Sequence, residues 1–401
     1  MHKMLEDVLV VDLTIAMAGP GCTKLLAEWG AEVIRIEAIN GEMNRTIDYE
    51  FPNLNKKCLS VNLKDPRGVK LVYDLIEKAD ILVTNMRPKA VKKLGMDYES
   101  VKKINPGIVY GIITGYGEEG PDADAPGYDT VAYWARSGML IDLPEKGSGP
   151  IVPPSGVGDI AVGIDLAAGL MAAYAHKLKT GKGEKVMCSL LAHGLYLNYD
   201  ALRKSEYGIE YPQSRLNPTK PLINTFCAGD GKWFCMTLLY DRFLEPLYRI
   251  CGREDLIGRS GYSTYDEVNA RSEEIVQIID EGFKRYSREE LLQLLSAAGI
   301  PCSPILHGAD AVKDPQAWAN HYLMRHTYRN GKEVTFPAGP VQFGDTEEPD
   351  DKNAPLLGEH TREIMEKFGY TKEQVETYIS EKVVGDLVRG SDHDWFSDYG
   401  N

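Results

Sequence analysis

The feature of this sequence that most limits its possible folds is the alternation of short apolar segments and amphipathic segments in its first half. The apolar segments have strand length and are rich in β-branched residues, whereas the segments between them have helical spacing. Strands are predicted at residues 8–13, 31–37, 81–83 and 108–113, and helices at 23–29, 69–78 and 90–94. Units of this size predict a doubly wound, Rossmann-like α/β domain, with a parallel sheet covered by helices on both faces.

Two long connectors in the second half of the chain set the predicted domain boundaries. After a long apolar helix at 160–179, three prolines fall within 211–221, and a second stretch rich in Pro, Gly and Asp covers 337–358. Between the connectors lie a hairpin at 223–238 and amphipathic helices within 272–298. The predicted organisation is a large domain over 1–207, a connector over 208–222, an inserted small α+β domain over 223–336, and a return connector with the rest of the large domain over 337–401.

Composition and charge disfavour several classes of function. The 401 residues include 59 acidic and 45 basic side chains, a net charge of −14, whereas nucleic-acid-binding proteins normally have a basic excess. No apolar run is predicted to approach the roughly 18 residues that span a bilayer, and the first residues are too acidic for a secretory signal. The seven cysteines and eight histidines lack the spacing of a disulfide framework or a zinc site. We expect a cytoplasmic protein without bound metal, nucleic acid or membrane partner.

The turn after the first predicted strand is a candidate nucleotide site. In α/β sheets the backbone amides at the start of the following helix bind phosphate there. Residues 19–24 read GPGCTK, which lacks the third glycine of the dinucleotide fingerprint, and Glu37 ends the next strand, where such an enzyme would bind ribose. A nicotinamide cofactor and a tight turn without a cofactor both stay open, and the missing glycine favours the second.

Six basic residues form a second candidate, a phosphate-binding cluster. Lys89, Lys92 and Lys93 are three and four residues apart, so on a helix they share one face that could hold a phosphorylated ligand. A solvated helix face explains the same pattern and is favoured on the pattern alone. The other members of the cluster are Lys64, Arg67 and Arg87.

Asp159 is the candidate nucleophile. It follows Gly156 and Gly158, which would let a ligand approach the backbone, and it immediately precedes the long apolar helix. A helix N-terminus favours the ionised form of a carboxylate, which would be nucleophilic at neutral pH. The alternative is a helix-capping aspartate, the commoner use of Asp at this position. Asp129, which follows Tyr128, also has two interpretations. It could belong to the site, or it could simply stabilise its own loop through backbone hydrogen bonds.

Eleven short segments stand in a characteristic order along the chain. They are AGP (18–20), LAEWGA (26–31), VIRIE (33–37), NKK (55–57), LK (63–64), DILVTN (80–85), TGYGEEGP (114–121), GYD (127–129), GD (158–159), TGKGE (180–184) and DPQAWAN (314–320). In this order and spacing they resemble the family III coenzyme A (CoA) transferases over nearly the whole chain. Within that family the sequence is most similar to enzymes that move CoA between 2-hydroxyacids and their enoyl-CoA products, such as the aryllactate and 2-hydroxyisocaproate CoA-transferases of amino-acid fermentation.

The resemblance implies a covalent relay on Asp159. Its carboxylate would attack the donor thioester to form a mixed anhydride, and the released CoA thiolate would then attack the aspartyl carbonyl to leave an enzyme-bound CoA thioester. An acceptor acid would reverse the two steps, so that acyl-CoA and a free carboxylic acid are the substrates and no permanent cofactor is needed. Backbone amides near 156–158, or from elsewhere in the site, are expected to stabilise the oxyanions.

The resemblance also implies which residues contact CoA and its acyl group. Lys93 replaces a frequent arginine, and Ala38 stands where some members have a basic residue. Met17 replaces the glutamine of oxalate-type members, and its apolar side chain favours an aromatic or branched 2-hydroxyacid. The family fold further implies an interlocked homodimer. The full set of expected binding residues is Ala16, Met17, Ala18, Lys64, Asn85, Met86, Lys93, Tyr128 and Asp129.

Three alternative functions stay open. The resemblance extends to acyl-CoA racemases, which share the fold. They have Gly-His-Asp where this chain has Gly127-Tyr128-Asp129. A tyrosine with a pKa near ~10 is a poor base at neutral pH, which disfavours racemisation. The missing third glycine counts against an NAD-dependent dehydrogenase. Asp159 with its flanking glycines counts against a non-catalytic CoA-binding partner of a larger complex. The sequence therefore predicts a CoA-transferase.

Overall fold

A seven-stranded sheet forms the centre of the fold in the computed structural model, which describes residues 3–43, 45–345 and 350–387. The strands of the protein are β1 (Leu9–Leu13), β2 (Glu32–Glu37), β3 (Lys57–Val61), β4 (Ile81–Thr84), β5 (Val109–Thr114), β6 (Lys185–Ser189), β7 (Ile223–Cys227), β8 (Trp233–Thr237), β9 (Cys302–Pro304), β10 (Leu323–Thr327), β11 (Glu333–Pro337) and β12 (Val384–Gly385). The large sheet has the order β12-β3-β2-β1-β4-β5-β6, in which only β12 is antiparallel to its neighbour. The predicted α/β fold with a large parallel sheet is therefore confirmed.

The four predicted strands of the first half correspond to β1, β2, β4 and β5, each within two residues at either end. Three strands of the large sheet, β3, β6 and β12, lie outside the predicted strands. β3 begins with a lysine, β6 is only partly buried, and β12 has two residues. None of the three therefore presents the continuous apolar run by which a buried parallel strand is recognised.

The helices lie between and after these strands. They are α1 (Ala18–Glu28), α2 (Ile47–Asn53), α3 (Pro66–Lys78), α4 (Pro88–Lys93), α5 (Tyr98–Ile104), α6 (Met139–Asp142), α7 (Val157–Thr180), α8 (Leu190–Leu197), α9 (Tyr199–Ser205), α10 (Leu244–Cys251), α11 (Tyr265–Asn269), α12 (Ser272–Phe283), α13 (Arg288–Ala297), α14 (Gly308–Ala311), α15 (Pro315–Ala319), α16 (Thr361–Lys367) and α17 (Lys372–Ser380), with a π-helical segment at Asp129–Ala135 and 3₁₀ turns at Asp241–Phe243 and Glu254–Leu256. α7 begins three residues before its predicted start, and Asp159 consequently lies inside its first turn.

The apolar composition of α7 is explained in part by its packing. By length and composition α7 could cross a membrane, with a mean hydropathy of 1.5 and 39% burial over its most apolar window, so the expectation that no apolar run is long enough is wrong. A core helix of a soluble protein passes the same test, and α7 packs along α1 and against β5 and β6. A Cβ atom at Gly163 would lie 2.8 Å from the carbonyl oxygen of Ala18, so glycine lets the two helices approach closely.

The chain divides into two units, each with its own core. The first covers the described parts of Met1–Met139, Val152–Tyr199 and Trp318–Asn401, and it contains the large sheet; the second covers Leu140–Ile151 and Asp200–Ala317, with the sheet β7-β8-β9. The hairpin β10–β11 belongs to the first unit, whereas the predicted small domain, 223–336, includes it. The physical reason is its packing on α2, where the rings of Phe336 and Phe51 are 5.3 Å apart.

Candidate active site

Most predicted site residues of the first unit, but not Lys64 and Lys93, follow the carboxyl ends of β1, β4 and β5. In a doubly wound sheet this edge forms a crevice where the strand order reverses, which here is between β1 and β4. The turn after β1 carries residues 15–17, the turn after β4 carries Asn85 and Met86, and the segment after β5 leads to Tyr128 and Asp129. The topology alone therefore brings three separate parts of the sequence to one edge.

The turn between β1 and α1 is fixed by Asn85. Its side-chain amide accepts the N–H of Ile15 at 2.9 Å and donates to the carbonyl oxygen of the same residue at 2.7 Å. Ala16 has φ 59°, in the left-handed region. Met17 follows, and its sulfur would lie 2.6 Å from a Cβ atom at Gly156. The turn, Asn85 and Gly156, which directly precedes α7, are thus in one place, and Ala18 begins α1 beside them.

Asp129 binds the amino end of α7 from outside the helix. The N–H of Gly156 donates to its carboxylate at 3.1 Å, and the amides of Gly158 and Asp159 also face that carboxylate. A Cβ atom at Gly158 would lie 2.3 Å from the carboxylate, so no larger residue fits there. The N–H of Gly156 is thus engaged by Asp129, and which backbone amides would stabilise the oxyanions stays a prediction.

Two glycines set the path of the chain into Asp129. A Cβ atom at Gly115, which directly follows β5, would lie 2.6 Å from the Cα atom of Gly127, so the two backbones touch. Gly115 was within the predicted segment 114–121 but not among the predicted site residues. A glycine directly after a buried strand is the signal that could have identified it, because such a position often marks a close backbone approach.

The pKa of Asp159 is raised to about 7 by its burial and by the charge of Asp129. The helix end was predicted to favour the ionised form of Asp159, but burial and the charge of Asp129 shift its pKa in the opposite direction. Burial also raises the pKa of Asp129, although the amides of Gly156, Gly158 and Asp159 lower it in part. Within the described residues, neither carboxylate forms an ion pair. A carboxylate of raised basicity that is partly ionised at neutral pH is suited to nucleophilic attack.

The basic residues of the predicted cluster lie apart from this pair of carboxylates in sequence and differ in their partners. Lys89 pairs with Asp124 at 2.7 Å, and Arg67 pairs with Asp65 at 2.8 Å. The remaining members are exposed and have no carboxylate partner in the described part of the chain: Lys64 in the turn after β3, Arg87 before α4, and Lys92 and Lys93 at the end of α4. Four cations are therefore available to a ligand.

The last two predicted binding residues differ in exposure. Met86 is half-buried and packs against the core beneath the sheet edge. Tyr128 is 68% exposed, next to the buried Asp129. The structure thus groups Ala16, Met17, Asn85, Asp129 and Asp159 through contacts, whereas Lys64 and Lys93 are surface residues outside that group.

Glu37, the residue considered for ribose binding, is unavailable to a dinucleotide. It is buried and accepts hydrogen bonds from Arg35 at 3.0 Å, from Arg45 at 2.6 Å and from the hydroxyl of Tyr49 at 2.9 Å. This arrangement counts against a nicotinamide cofactor. The described residues also include no group of three or more His, Cys, Asp or Glu side chains that could hold a metal ion.

Comparison with known proteins relates nearly the whole chain to CoA-transferases. The model of the family described as CoA-transferase family III matches residues 5–361. An (R)-2-hydroxy-4-methylpentanoate CoA-transferase of Clostridioides difficile is 36% identical over 95% of this chain and 99% of its own, and a cinnamoyl-CoA:phenyllactate CoA-transferase of Clostridium sporogenes is 34% identical over 95% and 97%. A crystal structure of a CaiB/BaiF family protein from Brucella suis matches with a TM-score of 0.79 and 25% identity, over 92% of this chain and all of that one.

Proposed function

The chain belongs to CoA-transferase family III and is an enzyme of the CoA-transferase type; from this premise we propose that it transfers CoA through covalent intermediates on Asp159. The observation that carries the proposal is the position of Asp159 in the first turn of α7, with a pKa raised to about 7. Close to neutral pH such a group offers an ionised carboxylate that is more basic than an ordinary aspartate.

Each proposed step forms one bond and breaks one. A carboxylate oxygen of Asp159 attacks the carbonyl carbon of the donor thioester. The C–S bond breaks, CoA departs as its thiolate, and a mixed anhydride of Asp159 and the donor acid remains. The thiolate attacks the aspartyl carbonyl and expels the donor acid as its carboxylate, which gives an aspartyl-CoA thioester. The acceptor carboxylate then attacks the aspartyl thioester and expels CoA thiolate, which gives a second mixed anhydride. The thiolate attacks the acceptor carbonyl of this anhydride, which forms the acceptor acyl-CoA and releases Asp159 as its carboxylate. The thioester's free energy is retained, so no ATP is needed.

Asp129 has two proposed roles in this relay. It holds the start of α7 through the N–H of Gly156, which fixes where Asp159 stands. Its charge also raises the pKa of Asp159, and this makes the nucleophile more basic. We place the CoA phosphates against the unpaired cations Lys64 and Lys93, with Arg87 and Lys92 beside Lys93 in sequence, because exposed basic groups without carboxylate partners suit phosphate binding.

The proposed substrates are 2-hydroxyacids with a branched or aromatic side chain. The two curated relatives are named for a branched and an aromatic 2-hydroxyacid. In this chain large apolar side chains are exposed next to the residues that form the site: Ile15 beside Ala16, Tyr128 beside Asp129, and Val157 beside Gly156. Together with Met17 they favour an apolar acyl group over a small dicarboxylate such as oxalate.

Mass spectrometry can test the proposed relay. Purified protein is incubated with isocaproyl-CoA or cinnamoyl-CoA and a panel of 2-hydroxyacids, without ATP or nicotinamide. We expect new 2-hydroxyacyl-CoA products, and hydroxylamine added with the donor should convert Asp159 to a hydroxamate. The variant Asp159→Asn is the control and should be neither active nor labelled. Label on another residue, or exchange without any label, would contradict the covalent role of Asp159; inversion of an α-carbon without exchange would indicate a racemase.

We also propose a homodimer, and its interlocked form stays a prediction. Large apolar side chains are exposed on neighbouring elements of the first unit, and a second copy of the chain would cover them. They are Ile164 and Leu178 on α7, Met187 on β6, and Leu195, Tyr196 and Leu197 on α8. Light scattering should give twice the mass of 44.6 kDa. Tyr196→Glu should weaken the dimer and Leu239→Glu, in the second unit, should not; a wild-type monomer would refute the proposal.

A further inference from the structure

The turn between β1 and α1 is held in a backbone conformation that alanine rarely adopts. Ala16 has φ 59°, where the Cβ atom of any residue other than glycine is crowded. Such a conformation persists only where surrounding contacts fix it. Asn85 fixes the preceding residue through two hydrogen bonds with the backbone of Ile15. The carboxylate of Glu42 fixes Ala16 itself by accepting a hydrogen bond from its N–H at 3.2 Å.

Glu42 is itself held in place by the interior of the sheet. Its second carboxylate oxygen accepts a hydrogen bond from Arg35 at 2.6 Å, and Arg35 is completely buried. Arg35 is fixed in turn by Glu37 at 3.0 Å, and its remaining terminal nitrogen lies 3.7 Å from Asp12. A rigid ion pair therefore connects the strand β2 to the backbone of the turn after β1.

The conformation of Ala16 determines where Met17 lies. The sulfur of Met17 would lie 2.6 Å from a Cβ atom at Gly156, the residue before the helix that carries Asp159. We infer that Glu42 is a positioning residue: it holds Ala16 in the left-handed conformation and thereby seats Met17 against Gly156, where the acyl group would be bound. This inference rests on the proposed function for its effect on catalysis, but the contact itself can be measured without any activity.

The central experiment compares Glu42→Gln with a rescue variant. Glutamine keeps the size of the side chain, but its single carbonyl oxygen cannot serve both Arg35 and the N–H of Ala16. We expect kcat for branched or aromatic donors to fall roughly ten- to a hundred-fold, because small misplacements at a site have effects of that size, with little change in the KM for CoA thioesters. Adding Ala16→Gly should restore most of the lost kcat, since glycine adopts a positive φ without crowding.

Two controls separate positioning from a purely structural role. Glu28→Gln removes another buried carboxylate of the first unit, which pairs with Lys24 on α1. This variant should leave the rate of CoA transfer unchanged. If Glu42 served only to balance the charge of Arg35, Ala16→Gly would not rescue the loss. A loss of kcat that persists in the double variant would therefore overturn the inference.

Amide hydrogen exchange tests the contact independently of CoA transfer. In Glu42→Gln, and more strongly in Glu42→Ala, the amide of Ala16 should exchange faster than in the wild type, whereas Glu28→Gln should not change it. Unchanged exchange at Ala16 in both Glu42 variants would overturn the inference. If the wild-type protein transfers no CoA to any acid, the proposed function fails, and the exchange rates at Ala16 still decide the role of Glu42.

Discussion

Asp12 and Asp159 are aspartates of the same unit, and their pKa values are shifted in opposite directions. Asp12 is completely buried in β1, and burial alone would raise its pKa; the charges of Lys56, 3.0 Å away, and Arg35, 3.7 Å away, outweigh burial and lower it to about 2. Asp159 is less buried and has no ion-pair partner among the described residues, and its pKa is raised to about 7. The difference is therefore made by partners and not by depth.

The surroundings of Asp12 are electrically balanced, whereas those of Asp159 are not. Three carboxylates and three cations form one network beneath the sheet edge: Asp12, Glu37 and Glu42 with Arg35, Arg45 and Lys56. At the start of α7 the charge of Asp129 raises the pKa of Asp159, and neither carboxylate forms an ion pair in the described part of the chain. A balanced network is stable and unreactive, and an unbalanced pair stores the unfavourable charge that raises the basicity of a nucleophile.

The largest effect on stability is expected for Asp12→Asn. This change leaves Lys56 and Arg35 buried with one negative charge fewer, and removing one partner of a buried ion pair typically costs about 3–5 kcal/mol. The pKa of Asp12 is lower in the folded state, so its contribution is complete above pH 3.8 and is lost only as the pH falls toward 2. Denaturant unfolding at pH 7 should show the loss.

Lys56→Met in the Asp12→Asn background provides the matched control. Removing the unpaired cation as well should recover part of the loss, because an apolar side chain of similar length needs no partner. The comparison would break if Asp12→Asn were as stable as the wild type, since the pairing with Lys56 would then have no energetic weight.

The fold was predictable where local sequence and burial agree. β1, β4 and β5 are almost entirely buried and read as apolar runs, and these were found. β3 lies just as deep, but it starts with Lys57 and contains Ser60, whose backbone N–H donates to the side-chain hydroxyl of Thr361 at 3.3 Å. Because that partner comes 301 residues later in the chain, no local pattern could have predicted the strand.

The sequence indicates candidate members of the site but not their electrostatics. Asp159 stands out because two glycines and a long apolar helix surround it. Its pKa is raised by burial and further by the charge of Asp129, which is 27 residues before Gly156 and accepts the N–H of that residue only in the folded chain. Glu42 was missed for the same reason, since its contact with Ala16 joins two turns that leave different strands. Sequence pattern indicates which groups are reactive types, and three-dimensional neighbours decide how they titrate.

A smaller effect, of the opposite sign to that of Asp12→Asn, is expected for Asp159→Asn. The pKa of Asp159 is higher in the folded state, so ionisation between pH 3.8 and about 7 destabilises the protein, and asparagine avoids this. After allowance for partial exposure we expect a gain of about 1–2 kcal/mol at pH 8. At pH 4 the variant and the wild type should have the same free energy of unfolding, which serves as the internal control. A loss of stability at pH 8 would contradict the contrast with Asp12.

The smallest effect is expected for Asp129→Asn on the pH dependence of the first half-reaction. In the wild type the rate of acyl transfer to the enzyme should rise with pH through about 7, as Asp159 ionises. Burial is the larger cause of the raised pKa and stays in the variant, while the repulsion from Asp129 is lost. The rise should therefore move to lower pH by less than ~1 unit, with the apparent pKa in the wild type belonging to the pair. Rapid-quench measurement of the released donor acid between pH 5 and 9 gives this profile. If the pH–rate profile did not move, the whole rise in the pKa of Asp159 would be due to burial. The two aspartates would then differ only in that Lys56 and Arg35 accompany Asp12, whereas Asp159 has no ion-pair partner among the described residues.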